Sequence, residues 1–387
     1  MPVATATGMV DDTDILANEK RIDMDDVIPF LDPQVSQFTT MLQRVKSQKA
    51  RATKVEWMED ELFPRLSSNT GGATGAATTF TVATGEGAFF RSGDIVRVPA
   101  TGEALRIVTM SGDTVSVCIR GIGSTAAAAI TAGNQLVIVG NASAQGAGLG
   151  TRKITKRVPQ YNYEQIQRNS FGFTNSLIET DLYTEGEPEH ERSKKAIEHK
   201  RAIEQLLFFG ARALDVTGTE PIGYSGGLVE YITTNVKNAG GTLTSTLLDT
   251  YFRDFLAHGS QNKVMFCAPV VAQAISGFLL NAWKPASVSD RLWGAKVDGY
   301  ISGVYGWEVP VVVKRDWNDF STTGNQYGSY AFVVDMDYVK LRPLRNTRLL
   351  RGRQANDADS YDEEYLTEFA LELQHERCHG VIKGVTG

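Results

Sequence analysis

The sequence predicts an α+β protein in which a small β-rich domain interrupts a larger mixed body. Three observations predict this class. A region rich in Gly, Ala and Thr, 67–150, holds five short alternating segments. A long helical pattern follows over 187–214, and helical and strand patterns then alternate over 222–345 before a β-like tail. With 387 residues, the chain is long enough for roughly two or three domains.

The composition is that of an ordinary globular protein and argues against several classes. Hydrophobic residues make up 42% of the chain and charged residues 22%, and the net charge of −6 gives no reason to expect wrapping around nucleic acid. No apolar run approaches the ~20 residues of a membrane span, and the first residues lack the basic and apolar regions of a signal peptide. The three cysteines lie too far apart for a disulfide framework and favour synthesis in a reducing compartment: Cys118, Cys267 and Cys378.

Residues 1–50 predict an extended arm with little helix. Six aspartates crowd its first half: Asp11, Asp12, Asp14, Asp23, Asp25 and Asp26. A helix is expected to start near Asp32, because the apolar residues after it are spaced on one helical face: Val35, Phe38, Met41, Leu42 and Val45. An arm with so little core of its own must lie on the rest of this chain or on a neighbouring subunit.

The Gly-rich region predicts a small β-barrel or sandwich. Its five strands are expected at Thr79–Val82, Asp94–Val98, Ala104–Thr109, Thr114–Ile119 and Gln135–Val139. The flanking stretches 67–77 and 141–150 are rich in small residues and predict two flexible linkers. Outside them, Thr53–Glu59 and Lys153–Val158 alternate, so we expect these two segments to pair as a hairpin that carries the insert near its tip.

The rest of the chain predicts a helical spine and an α/β body. The spine covers 187–214, begins with Pro188 between two acids, and would be about 40 Å long. The later elements alternate, with helices expected at Thr246–Ala257 and Pro269–Leu280 and strands at Lys263–Cys267, Glu308–Val313, Tyr330–Val334 and from Tyr365 onward.

One motif resembles a zinc-protease signature, because His375-Glu376-Arg377-Cys378-His379 fits H-E-x-x-H. That chemistry needs a helix, whereas the residues before His375 alternate like a strand. Two strand residues four apart are separated by about 13 Å, which is too far for one metal ion. No third ligand follows among the last eight residues. We therefore predict no metal, catalytic or cofactor-binding residues, and a metal-dependent hydrolase is the weaker alternative hypothesis.

A dense basic run near the end of the body allows three interpretations: a solvated face, a salt-bridged protein interface, or direct contact with nucleic acid. Its members are Lys340, Arg342, Arg345, Arg348, Arg351 and Arg353. The interface interpretation is supported by the acidic arm and by a second acidic run, which comprises Asp357, Asp359, Asp362, Glu363 and Glu364. Contact with phosphates would weaken steeply with added salt.

The order of these parts, together with three local stretches, resembles the major capsid proteins of tailed bacteriophages with the Hong-Kong-97-type fold. The stretches are Tyr161–Ile166, Gly303–Val309 and Asp337–Leu344. The resemblance covers nearly the whole chain. It points to the branch of the family in which the extended loop carries a β-rich insertion.

The resemblance implies a role for each segment. The N-terminal arm would lie across neighbouring subunits, the extended loop would reach over an adjacent subunit, and the insert would be a surface β-domain. A peripheral domain with the spine helix and an axial domain around the symmetry axes would complete the subunit. The implied ranges are 1–50 for the arm, 51–67 and 150–180 for the loop, 68–149 for the insert, 181–221 and 341–387 for the peripheral domain, and 222–340 for the axial domain.

The resemblance also implies a structural protein and not an enzyme. It would self-assemble into pentamers and hexamers of an icosahedral shell around double-stranded DNA, inside the host bacterial cytoplasm, with only weak contact between shell and DNA. An arm of about 50 residues leaves little room for a fused scaffold, so a separate scaffolding protein is expected beside portal and decoration proteins. The Lys–Asn cross-link of some relatives matches no residues here. A tail-associated or adhesive binding module is the alternative suggested by the Gly- and Thr-rich insert.

Overall fold

The computed structural model describes residues 37–45, 47–180, 187–277, 305–320 and 327–386, together with 283–284, 291–292, 295–296, 298–301 and 303. The aspartate-rich half of the predicted arm and the predicted helix start near Asp32 lie outside these residues. The chain divides into two compact units. The smaller unit is Met58–Pro159, and the larger one comprises Met1–Trp57 and Gln160–Gly387.

The described residues form short strands and a few helices. The helices are α1 (Gln37–Val45), α2 (Asn175–Ile178), α3 (Glu187–Phe209), α4 (Leu228–Tyr231), α5 (Ser245–Phe255) and α6 (Pro269–Ser276). The strands are β1 (Lys54–Glu59), β2 (Leu66–Ser68), β3 (Phe80–Thr81), β4 (Asp94–Arg97), β5 (Ala104–Ser111), β6 (Thr114–Ile119), β7 (Gln135–Asn141), β8 (Val158–Tyr163), β9 (Gln165–Thr174), β10 (Ala213–Asp215), β11 (Ile222–Tyr224), β12 (Val236–Thr242), β13 (Lys263–Cys267), β14 (Trp283–Lys284), β15 (Arg291–Leu292), β16 (Ala295–Lys296), β17 (Asp298–Ile301), β18 (Glu308–Val313), β19 (Ala331–Asp335), β20 (Val339–Arg351), β21 (Ser360–Leu373) and β22 (Gly380–Thr386).

The smaller unit holds a six-stranded sheet with the order β2-β7-β4-β5-β6-β3. Alternate residues of its strands face inward and form a separate apolar core, which includes Val96, Leu105, Ile107, Val115 and Leu136. Strands β3 to β7 lie at the five predicted strand positions. The alternation of residues in the sequence therefore indicates which side chains of these short strands face the core.

The stretch 67–77, predicted to be a flexible linker, is tied to the sheet at several points: Ser67 and Ser68 lie in β2, and Asn69 forms a bridge with Val82. Strand β2 pairs with β7, and Ala73 forms a bridge with Ile130. The glycines here permit close approach rather than flexibility: a Cβ on Gly75 would lie 3.1 Å from the Ala127 carbonyl oxygen. The second predicted linker, 141–150, begins with the last residue of β7, and its residues 142–150 are exposed and have no helix or strand.

A buried ion pair holds the loops of the smaller unit together. Arg120 donates from Nε and from one terminal nitrogen to the two Glu103 oxygens, at 2.7 Å each. The guanidinium also donates to the carbonyls of Thr74, Ala77 and Ala128. One side chain thus ties three irregular segments to the sheet.

The main core of the larger unit lies around a seven-stranded sheet with the order β12-β22-β19-β13-β18-β17-β14. Its central strands β13 and β19 are buried at every position, as expected for strands covered on both faces. Strand β22 pairs in parallel with β12 and antiparallel with β19. Residues 380–386 therefore share a sheet with strands from the range 222–340, and Val381, Ile382 and Val385 belong to its core.

A second, three-stranded sheet with the order β20-β21-β9 contacts the helix α3. The helix ends at Phe209 rather than at residue 214, and its 23 residues span about 34 Å. It stops because Gly210 approaches another segment: the Gly210 carbonyl accepts the Gly227 N–H at 2.8 Å, and a Cβ on Gly210 would lie 2.4 Å from the Ser225 carbonyl oxygen. Strand β1 pairs with β8, so a hairpin forms, but β8 meets the predicted partner segment Lys153–Val158 only at Val158.

Candidate assembly site

Two antiparallel segments of the smaller unit, 58–66 and 149–158, expose large apolar side chains; we call them the apolar arm. Leu62 is 93% exposed and Ile154 is 84% exposed, and Met58, Leu149 and Val158 are also open to solvent. Polar contacts join the two segments, since Thr155 donates to Asp60 at 2.9 Å and the Lys153 ammonium lies 4.1 Å from the centre of the Phe63 ring. Contiguous exposed apolar side chains of this size are typical of protein contact surfaces.

The arm root, which we define as residues 53–57 and 160–164 of the larger unit, is held within that unit by buried polar contacts. The Asn162 amide nitrogen donates to the Leu371 carbonyl at 2.7 Å, to the Gly226 carbonyl at 3.1 Å and to Ser225 Oγ at 3.2 Å. The Glu164 N–H donates to the Thr53 carbonyl at 2.8 Å. Val55 and Trp57 pack with Ala370 in a small apolar cluster. The root is therefore rigidly positioned by β21 and by the segment before α4.

Glu164 is the residue between β8 and β9, and its side chain is buried without a partner. The residue is 4% exposed, and neither carboxyl oxygen has a hydrogen-bond partner. Burial raises the pKa of this carboxyl to about 8, with a further contribution from the negative charge of Glu368, whereas the positive charge of Arg342 opposes the shift. At neutral pH Glu164 is therefore mainly protonated.

The basic run forms an ionic ladder within the chain. Strand β20 lies antiparallel to β21, and this register places each of five cations near a glutamate of β21. The pairs are Lys340–Glu372, Arg342–Glu372, Arg345–Glu368, Arg351–Glu363 and Arg353–Glu364. The salt-bridge interpretation named two of these partners, Glu363 and Glu364, but the pairs form within one chain.

Two further arginines extend the ladder to neighbouring elements. Arg192 of α3 binds both oxygens of Glu363, at 2.7 and 2.8 Å, and Arg168 of β9 binds both oxygens of Glu364, at 3.0 and 2.9 Å. The Arg168 hydrogen bond lowers the pKa of Glu364. Arg348, by contrast, is exposed and makes no ion pair with any residue that the structure describes.

A buried carboxylate attaches α1 to α3. Glu204 of α3 accepts the backbone N–H groups of Phe38 at 2.9 Å and Thr39 at 2.7 Å, and it also accepts the Thr39 hydroxyl. The Lys314 ammonium lies 2.7 Å from the same carboxylate. Because the first N–H groups of a helix lack partners within it, Glu204 caps α1 from a distant part of the chain.

The histidines of the H-E-x-x-H motif make structural contacts rather than a metal site. The H-E-x-x-H segment is not an α-helix: β21 ends at Leu373, and Glu376–Cys378 form a short 3₁₀ turn. His379 is fully buried; its Nδ1 accepts the Asp335 N–H at 3.1 Å, and its Nε2 lies 3.2 Å from the Gln374 carbonyl. Burial lowers the pKa of His379 to about 4, so the ring is neutral at pH 7. Among the described residues, no three His, Cys, Asp or Glu side chains could hold a metal ion together.

A second motif was not predicted: Gly223-Tyr224-Ser225-Gly226-Gly227 has the G-x-S-x-G spacing of a hydrolase nucleophile. It lies between the strand β11 and the helix α4. Ser225 is buried, and its hydroxyl oxygen accepts hydrogen bonds from Asn162 and, at 3.4 Å, from the Leu371 N–H. These partners are an amide and a backbone group, and neither can act as a general base. The glycines serve packing instead, since a Cβ on Gly227 would lie 2.6 Å from the Gly210 nitrogen.

The family of the chain follows from its match to a known family model. Residues 5–386 match the model described as SU10 major capsid protein. The chain belongs to this family. It is 28% identical over 346 residues to the major capsid protein of Pseudomonas phage PaMx41, and the match covers 81% of this chain and 80% of that protein.

Solved structures share the fold at low identity. A chain from Mycobacterium phage Adephagia has a TM-score of 0.52 at 9% identity and covers 98% of this chain and 99% of its own length. A chain from Mycobacterium phage Bobi gives the same score and identity over 98% of this chain and 100% of its own. The chain is thus a major capsid protein of a tailed bacteriophage with a Hong-Kong-97-like fold, and it forms an icosahedral virion shell. Among the described residues, none of the helices is long and apolar enough to span a membrane.

Proposed function

We propose that the chain assembles into pentamers and hexamers that close into a shell around double-stranded DNA, and that the apolar arm supplies a principal contact between subunits. The observation that carries this proposal is the exposure of Leu62 and Ile154 on two adjacent segments that have no regular secondary structure at these residues. Fully burying a Leu or Ile side chain contributes about 1.5–3 kcal/mol. A subunit that leaves these side chains in water gains that free energy only when another subunit covers them.

The segments take the following roles in the proposal. The two segments of the apolar arm belong to the extended loop. The six-stranded sheet is the inserted surface domain. Helix α3 and the sheet β20-β21-β9 form the peripheral domain. The seven-stranded sheet forms the axial domain, to which we now add β22. Residues 1–50 act as the N-terminal arm.

The proposal includes partners and a place of assembly. Assembly takes place in the host cytoplasm with a separate scaffolding protein, a portal protein at one vertex and decoration proteins outside. Contact with the packaged DNA is weak, which is supported by the net charge of −6 and by the pairing of most of the basic run with β21. The chain is not an enzyme in this proposal, because the Ser225 hydroxyl and both His379 nitrogens are occupied by structural contacts.

Assembly of variants tests the proposal. The full-length chain and its proposed scaffold are co-expressed and examined by sedimentation and negative-stain microscopy. We expect shells from the wild-type chain and from the control Thr151→Asp, which adds a charge at an exposed polar position of the same arm. The double variant Leu62→Asp/Ile154→Asp should give folded but unassembled protein. Shells from the double variant in wild-type yield would contradict the proposed role of the arm.

A further inference from the structure

The arm root contains a buried carboxyl group, that of Glu164, which lacks the polar contacts made by the neighbouring glutamates. Glu364, Glu368 and Glu372 each contact an arginine or lysine. Glu164 is equally buried, yet neither of its oxygens has a hydrogen-bond partner. A buried carboxylate without partners is strongly unfavourable, whereas a neutral carboxylic acid is tolerated.

Two charged groups act on Glu164, one from each neighbouring strand. On β20, Arg342 favours the ionised carboxyl; one of its terminal nitrogens lies 3.3 Å from Glu372, and its Nε has no hydrogen-bond partner. On β21, Glu368 repels the ionised form and binds Arg345 at 2.6 Å. Burial and the repulsion by Glu368 outweigh the attraction of Arg342, so the protonated form is favoured.

The backbone of Glu164 is closely packed, as its side chain is. Its N–H donates to the Thr53 carbonyl, and a Cβ on Gly223 would lie 2.3 Å from its carbonyl oxygen. Arg342 also lines an open cleft of about 960 Å³ with Gln48 and Arg51. Ionisation of Glu164 would place an unpartnered charge in this enclosed position and would therefore favour separation of the root from β20 and β21.

We propose that Glu164 is a proton-dependent lock, which holds the arm root against the sheet β20-β21-β9 while its carboxyl is protonated and releases the root when the proton passes to solvent. The lock is a property of the folded subunit. It is measurable before assembly and does not depend on the proposed shell contacts of the apolar arm.

The direction of the pH effect follows from the raised pKa. Between the ordinary value of 4.5 and the folded value of about 8, the folded state binds more protons than the unfolded state, so stability falls as pH rises through this window. If the carboxyl regains its ordinary pKa of 4.5 in the open root, opening becomes about tenfold more frequent between about pH 7 and about pH 9.5 and then levels off.

Hydrogen–deuterium exchange on the full-length, unassembled chain tests the lock. After correction for the intrinsic rate, the peptides covering 50–57 and 160–166 should lose about tenfold or more of their protection between about pH 7 and about pH 9.5. Peptides from the buried strand β13 should not change. Glu164→Gln should keep the root protected at both pH values, and the control Glu56→Gln, an exposed position on β1, should behave like the wild type.

Two results would overturn the proposal: a wild-type root whose protection does not depend on pH, or identical pH profiles for the wild type and Glu164→Gln. Infrared spectroscopy of the wild type, with 13C in its glutamates alone, tests the lock even if the variant does not fold. We expect a protonated glutamate carboxyl band at about pH 7 that disappears by about pH 9.5. Glutamate labelling separates this signal from Asp316, whose pKa burial also raises. The absence of the band at neutral pH would equally refute the lock.

Discussion

Replacing Glu204 with Gln should destabilise the larger unit and release α1 from α3. The wild-type carboxylate accepts two backbone N–H groups and one hydroxyl from α1, and it neutralises the buried Lys314 ammonium. A Gln side chain keeps one oxygen acceptor but turns an NH2 group toward the donors. Lys314 would then retain its contact with Asp316, 3.7 Å away.

The expected loss is large because every group involved is buried. Removing one partner of a buried ion pair costs about 3–5 kcal/mol. Two backbone donors at the start of α1 also lose charged acceptors, and hydrogen bonds to charged groups contribute about 1.5–3 kcal/mol each. Both contributions come from the same carboxylate, so they cannot be added. We expect Glu204→Gln to lower the free energy of unfolding by about 3–4 kcal/mol.

Urea denaturation of the unassembled chain measures this loss, and amide exchange of residues 37–45 locates it. Glu198→Gln is the matched control, because Glu198 lies on the same helix and forms a more exposed pair with Lys195 at 2.6 Å. That control should change stability by less than about 1 kcal/mol. The double variant Glu204→Gln/Lys314→Met should lose less than the sum of its single variants. If Glu204→Gln costs no more than Glu198→Gln, the proposed attachment of α1 is refuted.

Two further predictions concern other buried ionisable groups. Arg120→Lys keeps the charge but loses the two-pronged contact with Glu103, so the smaller unit should lose about 2–3 kcal/mol and be cleaved faster by protease, with the exposed substitution Arg97→Lys as control. His379 has a pKa near 4 in the folded state against 6.5 in the unfolded chain, so protonation favours unfolding and stability should fall by up to about 3 kcal/mol as pH drops from 6.5 to 4. Acid denaturation should follow this slope in the wild type and become shallower in His379→Gln; equal slopes would contradict the assignment.

Much of the fold could be predicted because it depends on local patterns. Strands β13 and β18 begin and end at the predicted residues, and the strands of the smaller unit follow from simple alternation. The helix pattern around Phe38 and Met41 correctly indicated a buried face. In each case the residues that decide the structure are neighbours in the sequence.

The errors arise where distant segments meet. Gly-rich sequence looks flexible, but Gly75 and Gly210 are used for close backbone approach, which only the partner segment reveals. The partners of the basic run depend on the register of β20 against β21, and a shift of one residue would reverse every pairing. The burial of Glu164 and Glu204 is likewise set by elements far away in the chain. The G-x-S-x-G spacing around Ser225, in contrast, was visible in the sequence and was overlooked.

A cryo-electron microscopy map of the assembled shell tests the central claim most directly, namely that the apolar arm is completed by another subunit. Leu62 and Ile154 are 93% and 84% exposed in the single chain. We predict that in the shell both side chains pack against a neighbouring subunit and become largely buried. A closed shell in which both side chains still face solvent would contradict the account.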